Sequence, residues 1–278
     1  MRLYRETSYE IGELITRRYS TSFTFGVRAL AKRFRAPIFG IYGFVRVADE
    51  IVDEMREYDR ARVFEGFAEE TDRAFRLGVS SNPAIEAYRD VAERYGFEPE
   101  LTRAFLASMR ADLTKRVHDK ASFDEYVYGS AEAVGLMCLR VFAEGNETLY
   151  RELAPHARAL GAAFQKVNFL RDLRADMSER GRVYLPGVLS PEDVTEEAKR
   201  AMEREVEREF AVALEGIRRL PDGARLGVHS AYSYFRRLFK QIGETPVEEL
   251  MTRRLRVPNG VKLALLARST LLVGVNRI

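Results

Sequence analysis

The chain has 278 residues, 46% of them apolar and 31% charged, a balance that supports a packed core and excludes global disorder. Its net charge of +3 lacks the dense basic excess of nucleic-acid-binding domains. That charge is unevenly placed: residues 251–278 hold six basic residues and no acidic one, so the first 250 residues sum to −3.

No run reaches the ~18–20 apolar residues of a membrane span, and the N-terminus has no apolar signal core. Cys138, the single cysteine, sits in the apolar run Val134–Val141 and can make no internal disulfide. These features predict a cytoplasmic protein with Cys138 buried. His118, His156 and His229 are scattered without metal-ligand spacing. Nine prolines separate long windows of helical period, and strand signals are short and sparse. The expectation is a single all-α domain over residues 1–278, with roughly ten helices.

In chain order, the first segment of interest is Arg46-Val-Ala-Asp49-Glu50-Ile-Val-Asp53-Glu54, after the aromatic-rich stretch Ile38–Phe44. On a helix, Arg46, Asp49 and Asp53 share one face. Two carboxylates at that spacing repel, and a divalent cation shared with phosphate oxygens reverses the sign. Standing alone, the motif reads equally as a solvated acidic face. Thr102–His118 places Phe105, Leu106, Met109 and Leu113 on one helical face. Phe164-Gln165 through Asp176 follows, with Gln165, Asn168, Asp172 and Asp176 on one polar stripe flanked by Val167, Leu170 and Leu173. Such a helix suits the wall of a cavity with a polar end, and two acidic helices face to face can hold metal ions and a diphosphate. Ser190-Pro191-Glu192-Asp193 predicts a helix start. That helix runs to Arg219 with Phe210, Ala213, Leu214 and Ile217 inward, and Pro221-Asp222-Gly223 is a turn.

Taken together, these motifs resemble the squalene/phytoene synthase family of head-to-head prenyl diphosphate condensing enzymes. Further segments agree in order: Tyr19–Phe23, Tyr126–Gly135, Gly181-Arg182-Val183-Tyr184-Leu185-Pro186, Ala231–Tyr234 and Arg254–Pro258. The similarity spans roughly residues 15–265 and is nearest to bacterial phytoene synthases. Two departures stand out. Glu50 replaces the second aspartate of the usual Asp-Asp-x-x-Asp motif, and Glu132 stands where glycine is usual, either lining the cavity or pointing away from it.

The resemblance implies an isoprenoid-synthase-type helical bundle around a central cavity. It implies Mg²⁺ (or Mn²⁺) held by Asp49, Asp53, Asn168, Asp172 and Asp176, with no nicotinamide. Diphosphate and prenyl binding falls to Ser20, Ser22, Phe23, Val27, Arg46, Ser130, Gln165, Arg171 and Arg254. Tyr42, Tyr126, Tyr184 and Tyr234 are the catalytic aromatic candidates, facing carbocations in a dry pocket. The small residues Val27 and Ser130 favour two C20 geranylgeranyl diphosphates, giving phytoene. The rivals are squalene or dehydrosqualene synthesis from C15 farnesyl diphosphate, a terpene cyclase, and a non-catalytic helical scaffold. Partners are prenyl diphosphates, without nucleic acid or an obligate protein partner. In the tail, Lys262, Arg268 and Arg277 read as solvated charge, with peripheral docking on an anionic membrane as the alternative.

Overall fold

Six of the described helix starts follow local capping chemistry. The computed structural model describes residues 1–188, 190, 193–275 and 278. The first half comprises α1 (Arg2–Tyr19), α2 (Thr21–Arg28), α3 (Lys32–Asp53), α4 (Arg60–Leu77), α5 (Pro83–Tyr95) and α6 (Pro99–Thr114). Then come α7 (Lys120–Val127), α8 (Ala133–Ala143), α9 (Glu147–Arg174), α10 (Glu196–Arg219), α11 (Arg225–Gly243), α12 (Val247–Leu250) and α13 (Asn259–Gly274). Ser20, Asp59, Asn82, Asp119, Asn146 and Thr195 each accept a backbone N–H in the first turn of the helix they precede. Two π-helical turns interrupt the pattern, Tyr128–Glu132 before α8 and Ala175–Glu179 after α9.

Three expected boundaries move. The helix predicted over 102–118 ends at Thr114. Beyond it the chain is drawn into an isolated parallel bridge between Val117 and Val183, in which Val183 N donates to Arg116 O at 2.8 Å. The predicted start at Ser190 is replaced by one at Glu196, capped by Thr195. Ser190 instead donates to Asp193 Oδ2 from both its N and its Oγ at 3.0 Å, and Pro191 and Glu192 lie outside the described residues. Asp176 leaves the α-helical stripe and sits in the π-helical turn. The inner stripe of α10 is as predicted, with Phe210, Ala213 and Ile217 buried and Leu214 half-buried.

Apolar burial is organised in two cores. In one, Phe44 of α3 stacks on Tyr88 of α5 with ring centroids 4.0 Å apart, backed by Phe105 of α6 and Met137 of α8. The other gathers Leu170 of α9, Phe210 of α10 and Leu238 of α11 with Phe169 and Tyr184, whose rings stack at 4.3 Å. The long helix α9 serves both, through Tyr150 and Leu153 near its start and Val167 and Leu173 near its end. Close packing around the first π-helical turn depends on glycine. A Cβ on Gly129 would sit 2.1 Å from Ala104 O, and one on Gly161 would sit 2.5 Å from Ala131 O. The turn is thereby wedged between α6 and α9, which brings Ser130 and Ala131 to a cavity wall. Among the described residues no helix is long and apolar enough to cross a membrane.

Candidate active site

A cavity of about 500 Å³ opens among α2, α3, α8, α9, α10 and α11. Two helices give it a polarity gradient. Along α3 the lining runs from Ile38 and Ile41 through Tyr42 and Val45 to Arg46. Along α9 it runs from Leu153 through Ala157, Leu160 and Phe164 to Gln165, Asn168 and Arg171, about 27 Å at the rise of an α-helix. Both series become polar where the acidic motifs begin. Ser20, Ser22, Phe23, Val27, Ser130, Tyr234 and Arg254 complete the predicted wall residues. Phe23 stacks on Tyr42 at 4.6 Å, and Gln165 Nε2 donates to Ser130 Oγ at 3.3 Å. Cys138 is half-buried and lines the same cavity, which corrects its expected full burial, and enclosure by protein pushes its thiol up to about 12.

At the polar end, arginines stand between the carboxylates. Arg46 bonds Asp49 at 2.5 Å and also Glu50, with its guanidinium 4.4 Å above the Tyr19 ring. Asp172 is held by Arg171 and by Arg254, whose Nε lies 2.6 Å from Oδ1. Arg180 links the two motifs, reaching Asp53 at 3.2 Å, Glu54 at 3.0 Å and Asp176 at 3.0 Å. The predicted face-to-face arrangement of the acids is therefore present, spanned by one guanidinium. Arg174 is half exposed and only 4.0 Å from Glu179, so of the two neighbouring arginines Arg171 is the one in the cavity wall.

The electrostatics fit a cation. Burial and repulsion by Asp53 push Asp49 up to about 7, and burial and repulsion by Asp172 push Asp176 up to about 7. Burial also presses on Asp172, but the bond from Arg171 and the charges of Arg171 and Arg254 outweigh it and hold this carboxyl low. Asn168 Oδ1 is buried without a hydrogen-bond partner. Carboxylates that resist ionisation beside an orphaned amide oxygen are a donor set suited to a hard divalent cation. Among the described residues no three acidic, His or Cys side chains converge on one point as they stand.

Two predicted cavity aromatics lie elsewhere, a correction to the sequence reading. Tyr126 and Tyr184 are buried behind the acids and outside the cavity wall. Their hydroxyls donate to the two oxygens of Asp112 at 2.7 and 2.6 Å. Burial pushes Asp112 up to about 6 against the opposing pull of Arg182 and these bonds. Arg182, next to this carboxyl, donates to Asp53 Oδ1 at 2.6 Å and to Val52 O at 3.1 Å. Sequence reasoning missed Asp112, Arg180 and Arg182 as site residues. A signal for Asp112 existed, since it continues the Phe105–Met109 face of α6.

The Squalene/phytoene synthase family profile matches residues 16–260. The chain belongs to that family. It is 28% identical to a phytoene synthase of Arthrospira platensis over 287 residues, covering 93% of this chain and 91% of that protein. It is also 28% identical to a phytoene synthase of Rhodobacter capsulatus, covering 96% and 82%. Among solved structures, a dehydrosqualene synthase in complex with ligand superposes with a TM-score of 0.79 at 20% identity, covering 98% of both chains. A squalene synthase from Alicyclobacillus acidocaldarius gives 0.74 at 19% identity, covering 88% of this chain and 97% of that one. These likenesses show the isoprenoid-synthase fold.

The departures from the family pattern now have places. Glu50 joins Asp49 on Arg46. Glu132 points away from the cavity, into a charged cleft behind α9, where Arg158 donates to it at 2.6 Å. In the tail, Lys262 is not a free charge. Its Nζ donates to Thr21 Oγ1 at 3.0 Å and lies 5.6 Å from the ring centre of Tyr234. Arg268 is exposed, and Arg277 lies outside the described residues.

Proposed function

We propose that this chain, working as one domain over residues 1–278, condenses two prenyl diphosphates head to head, and that the substrates are two C20 geranylgeranyl diphosphates giving phytoene. The observation that carries this reading is the pairing of two acidic motifs across Arg180 at the polar end of a long apolar cavity. Similarity to phytoene synthases over nearly the whole chain supports the product.

In this reading Arg46, Arg171 and Arg254 exchange their carboxylate partners for diphosphate oxygens, and the hydroxyls of Ser20 and Ser22 donate to the same groups. Gln165 positions the second diphosphate. Asp49, Asp53, Asn168, Asp172 and Asp176 would hold Mg²⁺ or Mn²⁺, which supplies the positive charge that stabilises a leaving diphosphate. One allylic diphosphate ionises, and the double bond of the other substrate attacks C1 to give a cyclopropyl diphosphate with loss of a proton. A second ionisation, rearrangement and proton loss complete the C40 hydrocarbon. The net change is two diphosphates and two protons released, so no reductant is needed. The wall of Val27, Leu30, Ile41, Leu160 and Ile217 excludes water from the cation, and the faces of Tyr42 and Tyr234 stabilise it.

A second reading has C15 farnesyl diphosphate as substrate and squalene or dehydrosqualene as product, favoured by the names of the solved structures it resembles. Purified protein with Mg²⁺ and each diphosphate separately, with and without NADPH, decides between them. A C40 product from C20 substrate without NADPH supports the first reading. A C30 product supports the second, and no hydrocarbon from either substrate overturns both. Peripheral membrane contact through exposed Leu263, Leu271 and Val275 is a further part of the proposal, checked by liposome co-sedimentation.

A further inference from the structure

We propose that Arg180 is a built-in counter-cation of the acidic site, displaced from between Asp53 and Asp176 when a divalent cation and a diphosphate bind together. The inference rests on the metal reading above and adds what keeps the site intact without metal. Several enclosed carboxylates facing one another are costly unless paired. Arg180 meets that need for Asp53 of the first motif and Asp176 of the second, and also reaches the more exposed Glu54.

Its attachment differs from that of Arg182. Arg182 is only 4% exposed, holds one oxygen of Asp53 at 2.6 Å, and also donates to Val52 O. Arg180 faces the other oxygen of Asp53, and its side chain is 20% exposed. Its Nε lies 3.2 Å from Asp53 Oδ2, close enough for an ion pair, yet it has no aligned hydrogen-bond acceptor. Its third partner, Glu54, is 48% exposed, so the guanidinium sits at the rim with a path outward. The backbone beneath it is pinned, with Arg180 N donating to Ala175 O at 3.0 Å and Arg180 O accepting from Arg116 at 2.8 Å. The side chain can leave while its anchor stays. Asn168 Oδ1, buried and unpartnered on the second motif, remains available to an incoming cation.

Displacement makes metal and diphosphate binding cooperative. A cation alone must compete with Arg180. A diphosphate brings negative charge that offers the released guanidinium a new partner.

The test is Mn²⁺ binding to the full chain, measured by electron paramagnetic resonance of free Mn²⁺, with and without inorganic pyrophosphate. Without pyrophosphate, Arg180→Gln should bind Mn²⁺ at least about fivefold more tightly than wild type, the lower end of ordinary coupling between sites. Arg180→Lys keeps the charge but cannot span both motifs, and should fall between them. Arg174→Gln, at an exposed site nearby, should match wild type. Pyrophosphate should tighten Mn²⁺ binding by a larger factor in wild type than in Arg180→Gln. Measurable Mn²⁺ binding that is equal or weaker in Arg180→Gln and Arg180→Lys overturns the proposal alone. No Mn²⁺ binding by any of these proteins, with or without pyrophosphate, overturns the metal reading and the proposal with it.

Discussion

Tyr184 donates to Asp112 at 2.6 Å from behind the acidic site, and two residues earlier in the chain Arg182 holds Asp53. Asp112, Tyr126 and Tyr184 thus form a buried support for the first acidic motif. Hydrogen bonds to charged groups contribute about 1.5–3 kcal/mol. Loss of a partner behind a metal ligand typically costs about 10–100-fold in metal affinity or activity. Tyr126→Phe and Tyr184→Phe, which act on Asp53 through Asp112 and Arg182, should each lower stability by about 1.5–3 kcal/mol and lower kcat by no more than the lower end of the metal-ligand range, about 10-fold, with KM little changed. Urea unfolding and steady-state kinetics on the same preparations check this. A large rise in KM would place these hydroxyls on the substrate instead.

Asp49 and Asp172 are each ion-paired with arginines that the diphosphate is proposed to claim. Replacing either by Asn keeps the shape and removes the negative charge. Asp49→Asn and Asp172→Asn should reduce turnover by at least about a hundredfold, the scale of losing one charge-stabilising group. Far-ultraviolet circular dichroism should stay that of the wild type. Undiminished activity in either variant would remove that residue from the metal set.

How far the site was legible follows from where each residue sits. Asp49, Asp53, Asn168 and Asp172 lie on helices, where spacing alone assigns a face, so the shared face of each motif could be read from periodicity. Arg180 and Arg182 lie beyond the helical period, around Gly181 with its positive φ of 65°, in a segment that Val183 bridges to Val117. That pairing joins residues 66 apart in sequence and leaves no local pattern. The same bridge ended α6 earlier than its apolar spacing predicted. Tyr126 and Tyr184 were recognised from their motifs, but motif membership does not say which side of an acidic cluster a ring faces.

The raised Asp176 carboxyl sets a pH dependence of known sign. Its ordinary value of 3.8 applies to the unfolded chain, and its folded value is about 7. Between these the folded state keeps a proton that the unfolded state has released, so this group's stabilisation is full below about pH 4 and is lost as pH rises through about 7. In EDTA, Asp176→Asn should therefore match wild type near pH 4 and have the higher urea midpoint at pH 8. Saturating Mg²⁺ at pH 8 should raise the wild-type midpoint more than that of the variant. A variant less stable than wild type at pH 8 in EDTA would show that the Arg180 pairing outweighs the burial cost.

Val27 gives the most direct handle on substrate length. It is 2% exposed, lies one turn past Phe23 on α2, and lines the cavity. A phenyl ring at this position must project into the space available to a prenyl tail or press on Leu30 and its neighbours. The second outcome is overpacking, which costs about 1–3 kcal/mol and appears as a lower melting temperature. The first leaves stability nearly unchanged and removes cavity volume. Val27→Phe should then lower kcat/KM for C20 diphosphate at least about tenfold relative to C15 diphosphate, equivalent to ~1.4 kcal/mol of discrimination and within the range for small changes in an apolar pocket. Competition between the two diphosphates in one vessel, with hydrocarbon products separated by chain length, reads that ratio directly. An unchanged ratio in a variant of wild-type stability would mean that the tails run along α9 and away from α2.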